Sequence, residues 1–161
     1  MANSEIVSKI KDRIIKDMIN NDTLIAAIDA TECAEPSDLV NSHIFRYNQN
    51  PNTVQTSTTL ITIMVHTRSR DKQERFVTPT IELWIYSTNS HMNVTNIPGI
   101  TDNRNDYISR IIDDMLNGES KYGGFGELRL AINEEGVLNK DFLYRRMVFS
   151  TIDLNDSMCG N

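Results

Sequence analysis

Gly123-Gly124-Phe125-Gly126 is the stretch whose residue types most invite a phosphate-binding reading. A dinucleotide fingerprint places such glycines after a strand and ahead of a helix, so that the helix N-terminus faces the pyrophosphate. Here a helical pattern precedes them, a strand pattern follows, and no Lys-Ser/Thr pair comes next. That order is the one a tight helix-to-strand connection needs. The three histidines, His43, His66 and His91, each fall in a different element or loop and belong to no HxH or HxxxH pair. A zinc or catalytic histidine cluster would have to be assembled entirely by the fold. Cys33 and Cys159 are the two cysteines, with neither a CxxC partner nor a companion histidine at ligand spacing. No metal, cofactor or disulfide framework is therefore expected, and two lone thiols fit a reducing compartment. Asp113-Asp114 and Glu134-Glu135 are adjacent carboxylates. Neighbours on a helix diverge by about 100°, so Asp113 and Asp114 cannot work as a general acid and base and read as a solvated face. There is no G-x-S-x-G elbow, and the Asn93-Val94-Thr95 sequon has meaning only in a secreted chain. No residue is assigned a catalytic role, and a non-enzymatic protein is expected.

The elements that would position these residues make up one domain's worth of chain, 161 residues with 39% hydrophobic and 24% charged positions. A length of this order can bury a real core, and the polar excess fits loops or arms outside it. The net charge is -6 and the pI near 5.0. That balance argues against gripping duplex DNA, which takes clustered Lys and Arg to displace counterions, although DNA could still pass by such a surface. No basic region followed by an apolar core opens the chain, and no apolar run is long enough for a membrane span, so a soluble intracellular domain is expected.

The best-formed element lies between Thr101 and Gly118. Ile108, Ile111, Ile112, Met115 and Leu116 recur at i, i+3, i+4, i+7, i+8, the period of a helix with one buried face. Thr101 or Asp102 is placed to cap it and Gly118 to end it in a left-handed conformation. Its polar face, Arg104, Asp106, Arg110, Asp113 and Asp114, alternates in sign and is available to a neighbouring subunit. A first helix is read through about Asn20, with Ile6, Ile10, Ile14 and Met18 on one face, broadened by Val7 and Ile15. Asn20-Asn21-Asp22 recaps a second helix over Thr23 to Ala30, with Leu24, Ile25 and Ile28 inward.

Periodicity disappears from Thr31 to Ser57, where one helical turn after Pro36 and the turn chemistry of Asn48 to Thr53 are expected. A loop this long in a compact domain commonly binds something, and Ile44, Phe45 and Tyr47 anchor it as an ordered arm. Strands are expected over Thr58–Thr67, Thr80–Ser87, Glu127–Ile132 and about Leu143–Ile152. Asn133 to Gly136 reads as a turn, and Arg145-Arg146 interrupts the last strand, as a bulge or edge would. In the second strand Ile81, Leu83 and Ile85 share one face and Glu82, Trp84 and Tyr86 the other. With the first face against the helices, Trp84 and Tyr86 form a candidate contact surface on the other. The mixed-sign run with Arg68, Arg70, Asp71, Lys72, Glu74 and Arg75 is a solvated hairpin tip that can also pair with a partner. The arm's Phe45, Arg46 and Tyr47 complete the candidate contact residues. The expected fold class is α+β: a four-stranded, mainly antiparallel sheet packed on one face by helices, in the order α-α-arm-β-β-α-β-β. It forms a single domain over 1–154, with the arm at 31–57 and a disordered tail at 155–161.

Several strings also look familiar: Phe45-Arg46-Tyr47-x-x-x-Pro51-x-Thr53, Ile81-x-Leu83-Trp84-Ile85-Tyr86, Arg104-x-Asp106-Tyr107-Ile108, Leu116-Asn117-Gly118, Phe125-Gly126-x-Leu128-x-Leu130 and Tyr144-Arg145-x-x-x-Phe149. Together, across roughly residues 40 to 154, they resemble small neck proteins of phages and prophages of Gram-positive bacteria. The element order is similar to that of tail-terminator (tail-completion) proteins. The resemblance implies a structural virion protein, usually a hexameric ring, that caps the tail tube and meets the head-closure or connector protein. DNA would only pass through its lumen, no membrane would be involved, and the chain would sit in the host cytoplasm until assembly. The arm and the Arg68 to Arg75 hairpin would supply contacts across a head-to-tail interface that closes. A head-closure or adaptor neck protein, and a non-viral protein-binding module, are the alternatives. No string in the resemblance carries a catalytic residue.

Overall fold

Isoleucine spacing and asparagine caps account for the helices of the computed structural model, which describes residues 3–54, 58–69, 77–122 and 126–151. Helix α1 (Asn3–Ile19) buries Ile10, Ile14, Ile15 and Met18, the stripe its sequence period predicts. Helix α2 (Asp22–Ile28) starts where Asn21 Oδ1 accepts the Leu24 N–H at 3.0 Å, and ends at Asp29 in the left-handed region, φ 57°. Helix α3 (Arg104–Leu116) is capped by Asn103, not by Thr101 or Asp102. Asn103 Oδ1 accepts the Asp106 N–H at 2.9 Å, and its amide donates to Asp106 Oδ2 at 2.7 Å. A bridge to Asn93 holds Asn103 extended, and the Asp102 carboxylate is drawn instead to Arg110 at 2.9 Å. Gly118 ends the helix as expected, at φ 87°, and donates to Leu128 O at 2.7 Å. None of the described helices is long and apolar enough to cross a membrane.

The sheet has five strands rather than four: β1 (Ile44–Phe45), β2 (Thr59–Ser69), β3 (Val77–Thr88), β4 (Leu128–Val137) and β5 (Phe142–Thr151), in spatial order β1-β2-β3-β5-β4. The extra strand comes from the arm. Its two residues run parallel to β2, pairing Ile44 with Ile61 and Phe45 with Thr62, and the Ile61 N–H donates to His43 O at 2.7 Å. Two residues are too few for an alternation to register in sequence. All other pairings are antiparallel.

Two expectations about the C-terminal hairpin are corrected. Asn133 to Gly136 is strand, not turn, and the chain reverses beyond it, where Asn139 Oδ1 accepts the N–H groups of Asp141 and Phe142 at 2.8 and 2.9 Å. Strand β5 is interior, between β3 and β4, and the register shift lies opposite it in β4, between Leu130 and Ile132. The reason is charge pairing across the ladder. Glu134 sits opposite Arg146 and Glu135 opposite Arg145, so residues that read as turn and interruption stabilise one another once they are neighbours.

All three helices pack on one face. Ile61, Ile63, Ile81, Leu83, Ile85, Met147 and Phe149 meet Ile10, Ile14, Ile108, Ile112 and Leu116 in the main core. A second, smaller cluster of Phe45, Leu60, Tyr86 and Phe142 lies apart from it. Strand alternation puts these residues on the sheet face away from the helices. The α+β plan with helices on one face is therefore as expected.

Candidate functional site

Strand alternation puts Glu82, Trp84 and Tyr86 of β3 beside Arg146, Tyr144 and Glu134 of the paired strands on that outer face. Half-buried Trp84 is its centre. Tyr144 approaches it with a ring-centroid separation of 4.8 Å, Tyr86 stacks at 5.9 Å and the Arg146 guanidinium lies 5.7 Å from its centroid. The Trp84 indole N–H donates to Glu82 Oε1 at 2.8 Å, and Arg146 Nε donates to the same oxygen at 2.6 Å. Arg146 also reaches Glu134 Oε1 at 3.0 Å, and His66 Nε2 lies 3.1 Å from Glu82 Oε2. Burial raises the Glu82 pKa, but hydrogen bonds from Arg146 and Trp84 with the Arg146 charge outweigh it and hold the carboxyl below its usual range. Those same carboxylates push the Arg146 pKa up. The result is an aromatic patch with a fixed cation and a fixed anion at its edge. Such a surface suits recognition of another protein.

Gly136 shapes this patch. It lies opposite Tyr144, and a Cβ there would come within 2.6 Å of the phenol ring. Gly136→Ala is expected to lift Tyr144 off Trp84 and cost about 1–3 kcal/mol, the usual range for overpacking. Chemical denaturation followed by Trp84 fluorescence would check both; an unchanged midpoint with unchanged emission would refute it.

The contact candidates named from sequence separate. Trp84 lies on the patch as expected, but Tyr86 is 5% exposed and Phe45 3% exposed, so burial leaves both little surface for a partner. Tyr47 is the arm's outward aromatic, 51% exposed and 5.8 Å from the Phe45 ring. Arg46 turns back to α1, where it pairs with Asp12, and Lys11 donates to its carbonyl, so arm and helix form one unit. Arg68 lies in β2. Arg70, Asp71, Lys72, Glu74 and Arg75 fall outside the described residues. Sequence reasoning did not pick out Arg146 or Tyr144 as contacts. The available signal was parity: Tyr144-x-Arg146 alternates as Trp84-x-Tyr86 does, once β5 is known to lie beside β3.

On the helix side, Arg104 faces inward and is not part of a face open to a neighbour, whereas Asp106 stays partly exposed and is taken up by Arg145. Arg104 is completely buried. Its guanidinium donates to the carbonyls of His91, Ala27 and Asn93 and to Asn96 Oδ1, with the Asp29 carboxylate 3.7 Å away. Asp106 binds Arg145, which also reaches Asn133 and Glu135. His91 joins the network through Asp29 at 3.2 Å and Thr59 Oγ1 at 2.7 Å, and burial lowers its pKa despite the Asp29 hydrogen bond. This is polar scaffolding that locks the 89–103 loop to α2 and α3.

One group of ligand-type side chains is brought together by the arm. Glu32, Cys33 and His43 place a carboxylate oxygen, Sγ and a ring nitrogen all within 4.8 Å of one another. His43 is 1% exposed; its Nδ1 faces Thr59 O at 2.6 Å and its Nε2 faces Glu32 Oε1 at 2.5 Å. Cys33 Sγ lies 3.8 Å from Ser42 Oγ. No CxxC or HxxxH spacing announces this cluster, because nine residues and a turn separate Cys33 from His43. His66 and His91 stand elsewhere, on the outer face and in the Arg104 network.

Fold and site together define an α+β domain with a one-sided helical layer, a pinned arm and a sheet face lined by half-buried aromatics on the side without helices. The chain belongs to the YomW family, whose model matches residues 9–151, a family of the Bacillus phage and prophage type. Searches of curated proteins and of solved structures return no match.

Proposed function

We propose that this chain is a structural protein of the phage neck, a tail terminator whose subunits assemble into a ring that caps the tail tube and meets the head-side connector. The observation that carries the reading is the sheet face around Trp84, where the half-buried Trp84 and Tyr144 rings and the partly covered Arg146–Glu82 pair line the side without helices. Membership in a phage-type family supports the setting. The net charge of -6 suits a lumen that DNA slides through without being gripped. Tyr47 and the arm, braced on α1 by Arg46, extend the contact surface to a second edge of the subunit. Under this reading the residues act by contact, not by turnover, and the protein resides in the virion after assembly in the host cytoplasm.

Light scattering coupled to size-exclusion chromatography tests the ring directly. A closed oligomer, expected to be a hexamer, supports it; a chain that stays monomeric even with tail tubes present overturns it. Trp84→Ala and Tyr47→Ala are each expected to weaken self-association at least about tenfold, the scale of an aromatic hot spot, while circular dichroism shows a folded subunit. Unchanged assembly in both variants would remove the patch and the arm from the interface.

A further inference from the structure

We infer that Glu32, Cys33 and His43 form a binding site for zinc(II) or a similar borderline divalent ion, which would pin the arm to the body of the domain. The inference goes beyond the ring reading and stands without it. Thiolate, imidazole and carboxylate are the donor set that zinc prefers over hard cations, which favour oxygen alone. All three donor atoms lie within 4.8 Å of one another. A tetrahedral ion with bonds of about 2.0–2.3 Å needs its ligand atoms roughly 3.3–3.6 Å apart. The Nε2–Oε1 separation of 2.5 Å would have to open by about 1 Å to reach that spacing. Glu32 can supply the movement, because its side chain is 50% exposed whereas His43 is held.

The holding of His43 favours a ligand over a plain ion pair. Thr59 O can only accept, so Nδ1 carries a hydrogen and Nε2 is the nitrogen turned to Glu32. A ring N–H given to a backbone carbonyl is the arrangement that orients metal-binding histidines. Backbone bonds fix both sides of the turn: His43 N–H to Leu39 O at 2.8 Å, Cys33 N–H to Ala30 O at 3.1 Å, and Asp38 Oδ2 on the Glu35 N–H at 3.0 Å. With both ring nitrogens engaged, His43 has none to spare as a base for Cys33, which disfavours a thiol nucleophile at the same place. Three protein ligands leave a fourth position facing solvent through the exposed Glu32 side. Binding would displace two protons, the one lying between His43 Nε2 and Glu32 Oε1 and the one on the Cys33 thiol, leaving a neutral imidazole, a carboxylate and a thiolate on the ion.

The test is equilibrium dialysis of the full, reduced chain against zinc(II), with cobalt(II) absorption as the reporter of thiolate ligation. Expected are one ion per chain, a sulfur-to-cobalt charge-transfer band, and a thermal midpoint raised by zinc but not by calcium. Cys33→Ser should abolish the band, Glu32→Gln should weaken zinc binding about ten- to a hundredfold, and Cys159→Ser should change neither. Glu32 is exposed, so Glu32→Gln keeps the test sharp even where a His43→Gln chain fails to fold. No zinc uptake, uptake unchanged in both Cys33→Ser and Glu32→Gln, or a preference for calcium would each overturn the site and leave a simple His43–Glu32 ion pair.

Discussion

Replacing Arg104 by Met is expected to destabilise the fold by about 3–5 kcal/mol, the scale of breaking a buried pair by removing one partner. Methionine keeps an unbranched apolar stem in place of the arginine's and lacks only the guanidinium end, so the loss is chiefly polar. The guanidinium is fully buried and donates to three carbonyls and one amide oxygen beside the Asp29 carboxylate. A buried ion pair can often be exchanged for apolar residues at little cost when both partners go. Here most partners are main-chain oxygens of residues 27, 91 and 93, which no substitution removes, and each buried acceptor left bare costs about 1–3 kcal/mol. Arg104→Lys should rescue only part, because an ammonium offers three donors at a point where a planar fork reaches several directions. Arg110→Ala on the same helix is the control: its side chain is 57% exposed and its bridge to Asp102 lies at the surface, so a change within about 1 kcal/mol is expected. Urea denaturation of the three variants measures all of this, and an Arg104→Met chain within about 1 kcal/mol of the wild type would refute the role given to the network.

The second large effect is a loss of stability at alkaline pH. Burial, followed by the Glu82 and Tyr144 charges, pushes the Tyr86 hydroxyl up to about 12. Burial and a hydrogen bond to Asp17 Oδ2 at 2.5 Å push Tyr122 up as well. The unfolded chain ionises its tyrosines near pH 10 while these two stay protonated in the fold, so rising pH drains stability into the unfolded state. The stabilisation is fully present below about pH 10 and is lost as pH climbs toward the folded values. For Tyr86 alone the loss reaches about 2 kcal/mol by pH 12. Lys11 has the opposite sign, since burial lowers its pKa and the unfolded state binds its proton more tightly below about pH 10.5. The Tyr86→Phe, Tyr122→Phe double variant therefore separates the contributions. Denaturation midpoints measured from about pH 8 to 12 should fall steeply in the wild type and much less in the double variant. Parallel curves would refute the assignment.

The same two tyrosines show how differently elements of this chain advertise themselves. Tyr86 lies in an alternating strand, so its face could be assigned from neighbours, yet its depth could not: Phe45 from the arm and Phe142 from β5 close over it. Tyr122 lies next to the glycine-rich connection and looked like part of a loop, but it is 1% exposed and tied to α1 through Asp17. A hydroxyl that finds a carboxylate 105 residues away leaves no local pattern.

Long amphipathic periods, asparagine and glycine at helix ends, and β-branched alternation are local properties, and they sufficed for the three helices, the four long strands and the face on which Trp84 lies. The α+β layering followed from those elements, because a one-faced helix and a one-faced sheet must bury their apolar sides together. Only the tertiary structure decided the rest. It made Glu134 and Glu135 strand residues by setting them against Arg146 and Arg145, and turned Arg104 from a surface charge into a buried clamp. Within the arm it drew out a fifth strand and brought Cys33 beside His43. Each of these depends on which distant residue becomes a neighbour, and a charge, thiol or imidazole takes its role from that neighbour, not from its position along the chain.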